Sequence, residues 1–243
     1  MAVERIGYQA GGLACNGALV WDDTVKHPRP LLLMSSNWLG VNDDAIKRTQ
    51  MMTGDRYIGF VADMYGGGRH VAGPPDAAPL ADALRKDPGE RRRRIVAALD
   101  TLTVESRKRG IGDANRRAAV GFCFGGGNVL ELARTGAAVQ AVVCLHGDLT
   151  TPQPAAPGSI RSAVLVLHGS KDPVAPKAER DALEAEMEAA GAHWQMLTFG
   201  GLVHSFAESE ANVKGVAEYN AAAARQSYAM IDNFISDAFA GRL

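Results

Sequence analysis

Four apolar runs constrain this 243-residue chain more than anything else in it: Leu31–Met34, Tyr57–Val61, Ala141–Leu145 and Ala163–Leu167. A strand with one wet face alternates polar and apolar residues. A strand without polar positions is covered on both faces, as in parallel sheets layered between helices. Helical patterns separate these runs, from Asn42 or Asp43 to about Met52, Glu90 to Lys108, Asn128 to Arg134 and Lys177 to Ala190, with a long Ala-rich one from about Gly215 to Phe239. This alternation predicts an α/β domain over residues 1–243, with a mostly parallel central sheet flanked by helices on both faces. Weakly alternating Arg5–Tyr8 and Leu13–Trp21, joined at Gly11-Gly12, are expected to form an edge hairpin, and His193–Phe199 the last strand. Arg69 to Pro88, rich in Gly, Pro and Ala, is expected to be a loop or lid. The Arg91–Arg94 run is read as a solvated first helical turn, because four consecutive helical positions point in different directions.

Chemistry enters at Gly121-Phe-Cys-Phe-Gly-Gly-Gly127. Glycine on both sides of a reactive side chain, after the short apolar run Ala118–Val120 and before a helical pattern, is the signature of a nucleophile elbow, here with Cys123 in place of the commoner serine. Glycine is required there because strand and helix converge too closely for a Cβ atom. A thiol so placed needs a base and a group that orients the base, which such sheets supply in the chain order nucleophile, acid, histidine. Asp172 follows the Ala163–Leu167 strand and His204 follows the last strand, so all three are expected at the carboxyl edge of the sheet. Asp148 is the rival acid; His146 and His168 are rival bases, His168 being better placed to support the acid loop. Backbone N–H groups of Phe124, at the start of the following helix, and of Trp38, after the Leu31–Met34 strand, are the expected oxyanion donors, with Asn37 next.

Composition removes several alternatives. Lys plus Arg number 26 against 27 for Asp plus Glu, so no global field points to nucleic acid or to an anionic membrane. No apolar run is long enough to cross a bilayer, and the Met-Ala-Val-Glu-Arg start lacks a signal-peptide pattern, so a cytoplasmic location is expected. Cys15, Cys123 and Cys144 form neither a CxxC pair nor a disulfide framework. The histidines have no metal-like spacing, so no metal site is expected.

The chain resembles the dienelactone hydrolases, cytoplasmic esterases of the α/β-hydrolase fold with a Cys-Asp-His triad. The resemblance rests on Gly121-Phe-Cys-Phe-Gly-Gly126, His168-Gly-Ser-Lys-Asp-Pro173, Val203-His-Ser-Phe206 and the tail Tyr219–Tyr228. It implies cofactor-free hydrolysis of a small-molecule ester or lactone through a thioester acyl-enzyme, by a monomer or homodimer. Asn37, Tyr65 and Phe206 are the expected substrate-binding side chains. Two positions depart from the family pattern. Asn37-Trp-Leu-Gly-Val-Asn42 stands where relatives show Glu-x-x-Gly-x-Asn, so the glutamate that contacts the resting thiol is missing. Glu208 stands near where an arginine clasps the substrate carboxylate, leaving Arg69, Arg85 or one of Arg91 to Arg94 to compensate. The alternatives are a silenced member that only binds a ligand or partner, and a redox thiol.

Overall fold

The computed structural model describes residues 1–243. Its main sheet has eight strands in the order β1-β2-β4-β3-β5-β6-β7-β8, and the chain divides into two compact units, Met1–Ala119 and Val120–Leu243.

In the first unit, β1 (Ala2–Ala10) and β2 (Leu13–Trp21) form the expected antiparallel hairpin, with Ala10 opposite Leu13 across Gly11-Gly12. β2 then pairs antiparallel with β4 (Ile58–Val61), and β4 pairs parallel with β3 (Arg29–Ser35), whose seven residues are all buried. The crossover from β3 to β4 is α1 (Asp43–Thr53), started by the Asn42 side chain accepting the Ala45 N–H at 2.9 Å. α1 packs on β2 and β4; α3 (Pro88–Lys108), capped by Asp87, packs on β1, β3 and β4.

Two expectations fail here. Residues Pro74–Lys86, inside the expected loop, form helix α2. Pro74 and Pro75 occupy the first two helical positions, where a missing N–H costs nothing, and Ala77, Ala81 and Leu84 bury one face at helical spacing. Prolines that read as loop punctuation were starting a helix. The arginine run is not a wet turn throughout: Arg91 is buried, and Arg94 donates to the Met64 carbonyl at 2.7 Å and to Glu90 at 2.6 Å.

The second unit holds β6 (Ala141–Leu145), β7 (Ala163–Gly169) and β8 (Trp194–Phe199), parallel in that order. α4 (Phe124–Arg134) packs on β6, α5 (Lys177–Ala190) lies between β7 and β8 in the chain, and α6 packs on β6 and β7. The last helix begins later than its alanine pattern suggested. Residues 212–218 form a small hairpin of β9 (Asn212–Val213) and β10 (Ala217–Glu218), and α6 runs from Ala221 to Phe239 with the Asn220 side chain capping the Ala223 N–H at 3.0 Å. Apolar Val213 and Val216 extend the helical pattern backwards, but Gly215 at φ 75° turns the chain there.

The elbow joins β5 (Gly112–Phe122) to α4. Cys123, between them, has φ 54° and ψ −123°, a region that costs a side-chain-bearing residue about 1–3 kcal/mol. Its N–H donates to the Leu145 carbonyl at 3.0 Å and its carbonyl accepts the Gly126 N–H at 2.9 Å, so both neighbouring elements hold the turn. A Cβ on Gly121 would lie 2.0 Å from the Gly125 carbonyl oxygen. Gly121→Ala is therefore expected to cost about 3 kcal/mol or more in urea unfolding, whereas Gly7→Ala, with nothing closer than 4.0 Å, is expected to change stability by less than about 0.5 kcal/mol. Equal stability of the two variants would show that the elbow relaxes.

Candidate active site

Three loops of the second unit build the site. Asp172 lies in the turn after β7, where Asp172-Pro173 folds back so that Oδ1 accepts the N–H groups of Val174 at 2.8 Å and Ala175 at 3.1 Å. That leaves Oδ2 for the His204 ring, whose Nδ1 lies 2.8 Å away. His204, in the loop after β8, is held by its backbone: its N–H donates to the Val216 carbonyl at 3.0 Å and its carbonyl accepts the Glu218 N–H at 3.1 Å. The β9–β10 hairpin thus carries the histidine, a support that no motif announced; Gly215 was its one visible signal.

The electrostatics couple these groups to the thiol. Burial disfavours a charged His204, yet the Cys123 charge, the hydrogen bond to Asp172 and contact with the Cys123 side chain outweigh it and push the imidazole up to about 11. His204 Nε2 makes no well-aligned hydrogen bond, although the Cys123 side chain is close enough to act on the ring's titration. For Asp172, burial favours the protonated acid, but the His204 hydrogen bond and charge and the Ala175 N–H hold the carboxyl below its usual range. His168 is lowered, chiefly by burial. Its Nε2 lies 2.9 Å from the Ala175 carbonyl and 3.5 Å from Asp172 Oδ2, so it braces the acid loop, the place the sequence assigned to it.

Of the rival residues, Asp148 acts electrostatically on Glu179, raising it. His146 does enter the site: its Nδ1 accepts the Cys123 N–H at 3.3 Å, and its ring meets that of His204 edge-on at 5.4 Å. Phe206 is fully buried, packed on His146 at 5.2 Å and on Phe199 at 5.0 Å, and offers no exposed surface to a ligand. Glu208 is buried as well, with Oε1 accepting the Ser205 hydroxyl at 3.0 Å and lying 4.0 Å from His146 Nδ1. Cys123, His146 and Ser205 are the non-glycine residues with positive φ in the chain, and all three are in this cluster. Phe124 opens α4, where an N–H lies outside the helix's own ladder.

In the first unit, the other residues chosen from sequence form one connected loop pair. The Asn37 side chain accepts the Leu39 N–H at 3.0 Å, shaping its own loop. Tyr65 donates its hydroxyl to the Trp38 carbonyl at 2.9 Å, and its N–H goes to Asp63. The Asp63 carboxylate, fully buried, also accepts N–H groups of Asn16, Gly66 and Gly68. Among the arginines considered for a substrate carboxylate, Arg85 pairs with Asp82, Arg93 and Arg94 pair with Glu90, Arg91 is buried and Arg69 is exposed.

Residues 16–239 match the Dienelactone hydrolase family. A dienelactone hydrolase-like promiscuous phosphotriesterase from metagenomic libraries has the same fold at a TM-score of 0.90 and 33% identity, covering 97% of this chain and 98% of that one. The structure named m3DLH is as similar, at 0.90 and 33%, covering 98% of each chain. A dienelactone hydrolase from Anabaena variabilis ATCC 29413 shares the fold at a TM-score of 0.68 and 16% identity, covering 97% of both chains. The bis(hydroxyethyl) terephthalate hydrolase of Streptomyces coelicolor is 35% identical over 94 residues, 37% of this chain and 28% of that protein's length.

The causes acting on His204 order two variants. Cys123 outweighs Asp172 both in charge and, taken together, in its hold on the imidazolium. Cys123→Ala is therefore expected to lower the His204 titration midpoint further below about 11 than Asp172→Asn does, read by nitrogen-detected NMR of the imidazole. The reverse order would show that the thiol does not hold the proton.

Proposed function

Because the chain belongs to the dienelactone hydrolase family and has the α/β-hydrolase fold, we propose that it is a cysteine-dependent hydrolase of carboxylic esters or lactones, with residues 1–243 as one catalytic domain and Cys123, Asp172 and His204 as its triad. The observation that carries this reading is the His204 imidazole, bonded to Asp172 at 2.8 Å and charged through its contact with Cys123.

The chemistry follows from what raises the imidazole. With the sulfur ionised, His204 keeps its proton and Cys123 attacks the ester carbonyl as a thiolate. The C–O bond breaks, a thioester forms, and the departing alkoxide takes the Nε2 proton from His204. Acylation also removes the negative charge from sulfur, the first of the causes that raise His204. The imidazole, now neutral, takes a proton from water as the water attacks the thioester. Collapse releases the acid and restores thiolate and imidazolium. Asp172 holds the ring in one tautomer throughout. The Phe124 N–H, at the head of α4, is the oxyanion donor of the second unit in this reading; within the first unit, Tyr65 and Asn37 hold the loop after β3 through the Trp38 carbonyl and the Leu39 N–H.

An uncharged substrate fits best. Glu208 is buried against Ser205 and His146, and Arg85, Arg93 and Arg94 are committed to carboxylates of their own helices. The similar phosphotriesterase and bis(hydroxyethyl) terephthalate hydrolase are both named for uncharged esters. Three cysteines, all free and buried, favour a reducing compartment such as the cytoplasm. No helix is long and apolar enough to cross a membrane.

On p-nitrophenyl acetate, a neutral lactone and a neutral phosphotriester, wild-type protein should turn over at least the carboxylic esters and show an acetyl adduct on Cys123 by mass spectrometry. Cys123→Ala should lose about 10³-fold or more in kcat while keeping its circular dichroism. Undiminished turnover by that variant would end the proposal.

A further inference from the structure

His146 touches the Cys123 backbone and the His204 ring and is not one of the three triad residues proposed above. It follows β6 at φ 36°, with its N–H donated to the Leu167 carbonyl at 2.8 Å. The next residue, Gly147, packs so tightly against α4 that a Cβ there would lie 2.7 Å from the Gly126 Cα and 2.6 Å from Cys144 Sγ. The backbone of His146 is therefore fixed from two sides, and its ring has little freedom to move. Phe122, Phe206 and His204 surround that ring at centroid distances of 5.9, 5.2 and 5.4 Å.

One polar contact gives the ring a direction. The Cys123 N–H points at His146 Nδ1, which must offer a lone pair to accept it and so leaves a neutral ring's proton on Nε2. At 3.3 Å this bond is long, and it shares its donor with the Leu145 carbonyl. Glu208 Oε1, fixed by the Ser205 hydroxyl, stands 4.0 Å from the same nitrogen. Ser205 directly follows His204, so one short loop carries the base and the carboxylate that faces His146.

We propose that His146 is a positioning residue: through Nδ1 it pins the strained Cys123 peptide, and through its edge-on ring contact it keeps His204 turned toward the sulfur. The proposal rests on the Cys123–His204 pairing argued above. Neither role requires His146 to touch substrate or to exchange a proton with it. The energetic case is the elbow's own. A residue held at φ 54° relaxes unless its surroundings over-determine it, and the His146 contact is one of three that hold this residue.

The test is the rate of Cys123 alkylation by iodoacetamide at neutral pH, followed by peptide mass mapping, in wild type, His146→Phe and His146→Asn. Phenylalanine keeps the ring and loses the acceptor. The asparagine oxygen reaches about where Nδ1 sits and keeps it. Alkylation is expected to fall about 5- to 10-fold in His146→Phe and to recover to within about 2-fold of wild type in His146→Asn, with melting temperatures within about 3 °C. Should His146→Phe fail to fold, His146→Leu carries the same comparison. Wild-type alkylation in the variant without the acceptor overturns the proposal, as does an asparagine variant no faster than it, which would assign the effect to packing. Alkylation needs no substrate, so a wild type inactive on every ester would count against the proposed hydrolysis while this ratio could still be read.

Discussion

A single imidazole proton, balanced between a buried carboxylate and a thiol, is what the second unit is arranged around. Burial by itself would strip that proton from His204, and a neutral ring beside a neutral thiol would do little. Asp172 and the sulfur together reverse the outcome. Each partner needs its own support. Two amide donors fix one oxygen of Asp172 so that the other must face the ring. A two-strand hairpin holds the histidine by its backbone. The elbow holds the sulfur at the head of α4.

The framework was legible because it rests on strong local patterns. Unbroken apolar strands, a cap at Asn42 or Asp43 and the glycine pair at the hairpin are local signals, and the structure follows them, with Asn42 as the cap. Where the reading failed, one residue type served two purposes. Proline opens helix α2 although in sequence it reads as loop chemistry, and the alanine-rich pattern before α6 hides a turn at Gly215. Arg91 went inside although its neighbours in the run stayed wetter, because burial follows helix phase and not composition.

The site was legible in part, for a different reason. Asp172 and His204 follow strands at one sheet edge, so their meeting could be read from chain order. Glu208 and His146 could not be paired that way: one lies on a loop and the other at a strand end, 62 positions apart (208 − 146), and only coordinates bring them to 4.0 Å. Phe206 read as lining because it is aromatic and next to the loop of the base. It is a core residue whose ring supports His146. Asn37, chosen as a departure from the family's glutamate, turns out to shape its own loop through the Leu39 N–H.

Three side-chain-bearing residues sit in left-handed backbone, and each is in the cluster around the sulfur: Cys123, His146 and Ser205. Strain gathered in one neighbourhood makes that neighbourhood the first to let go on warming, ahead of the strands beneath it.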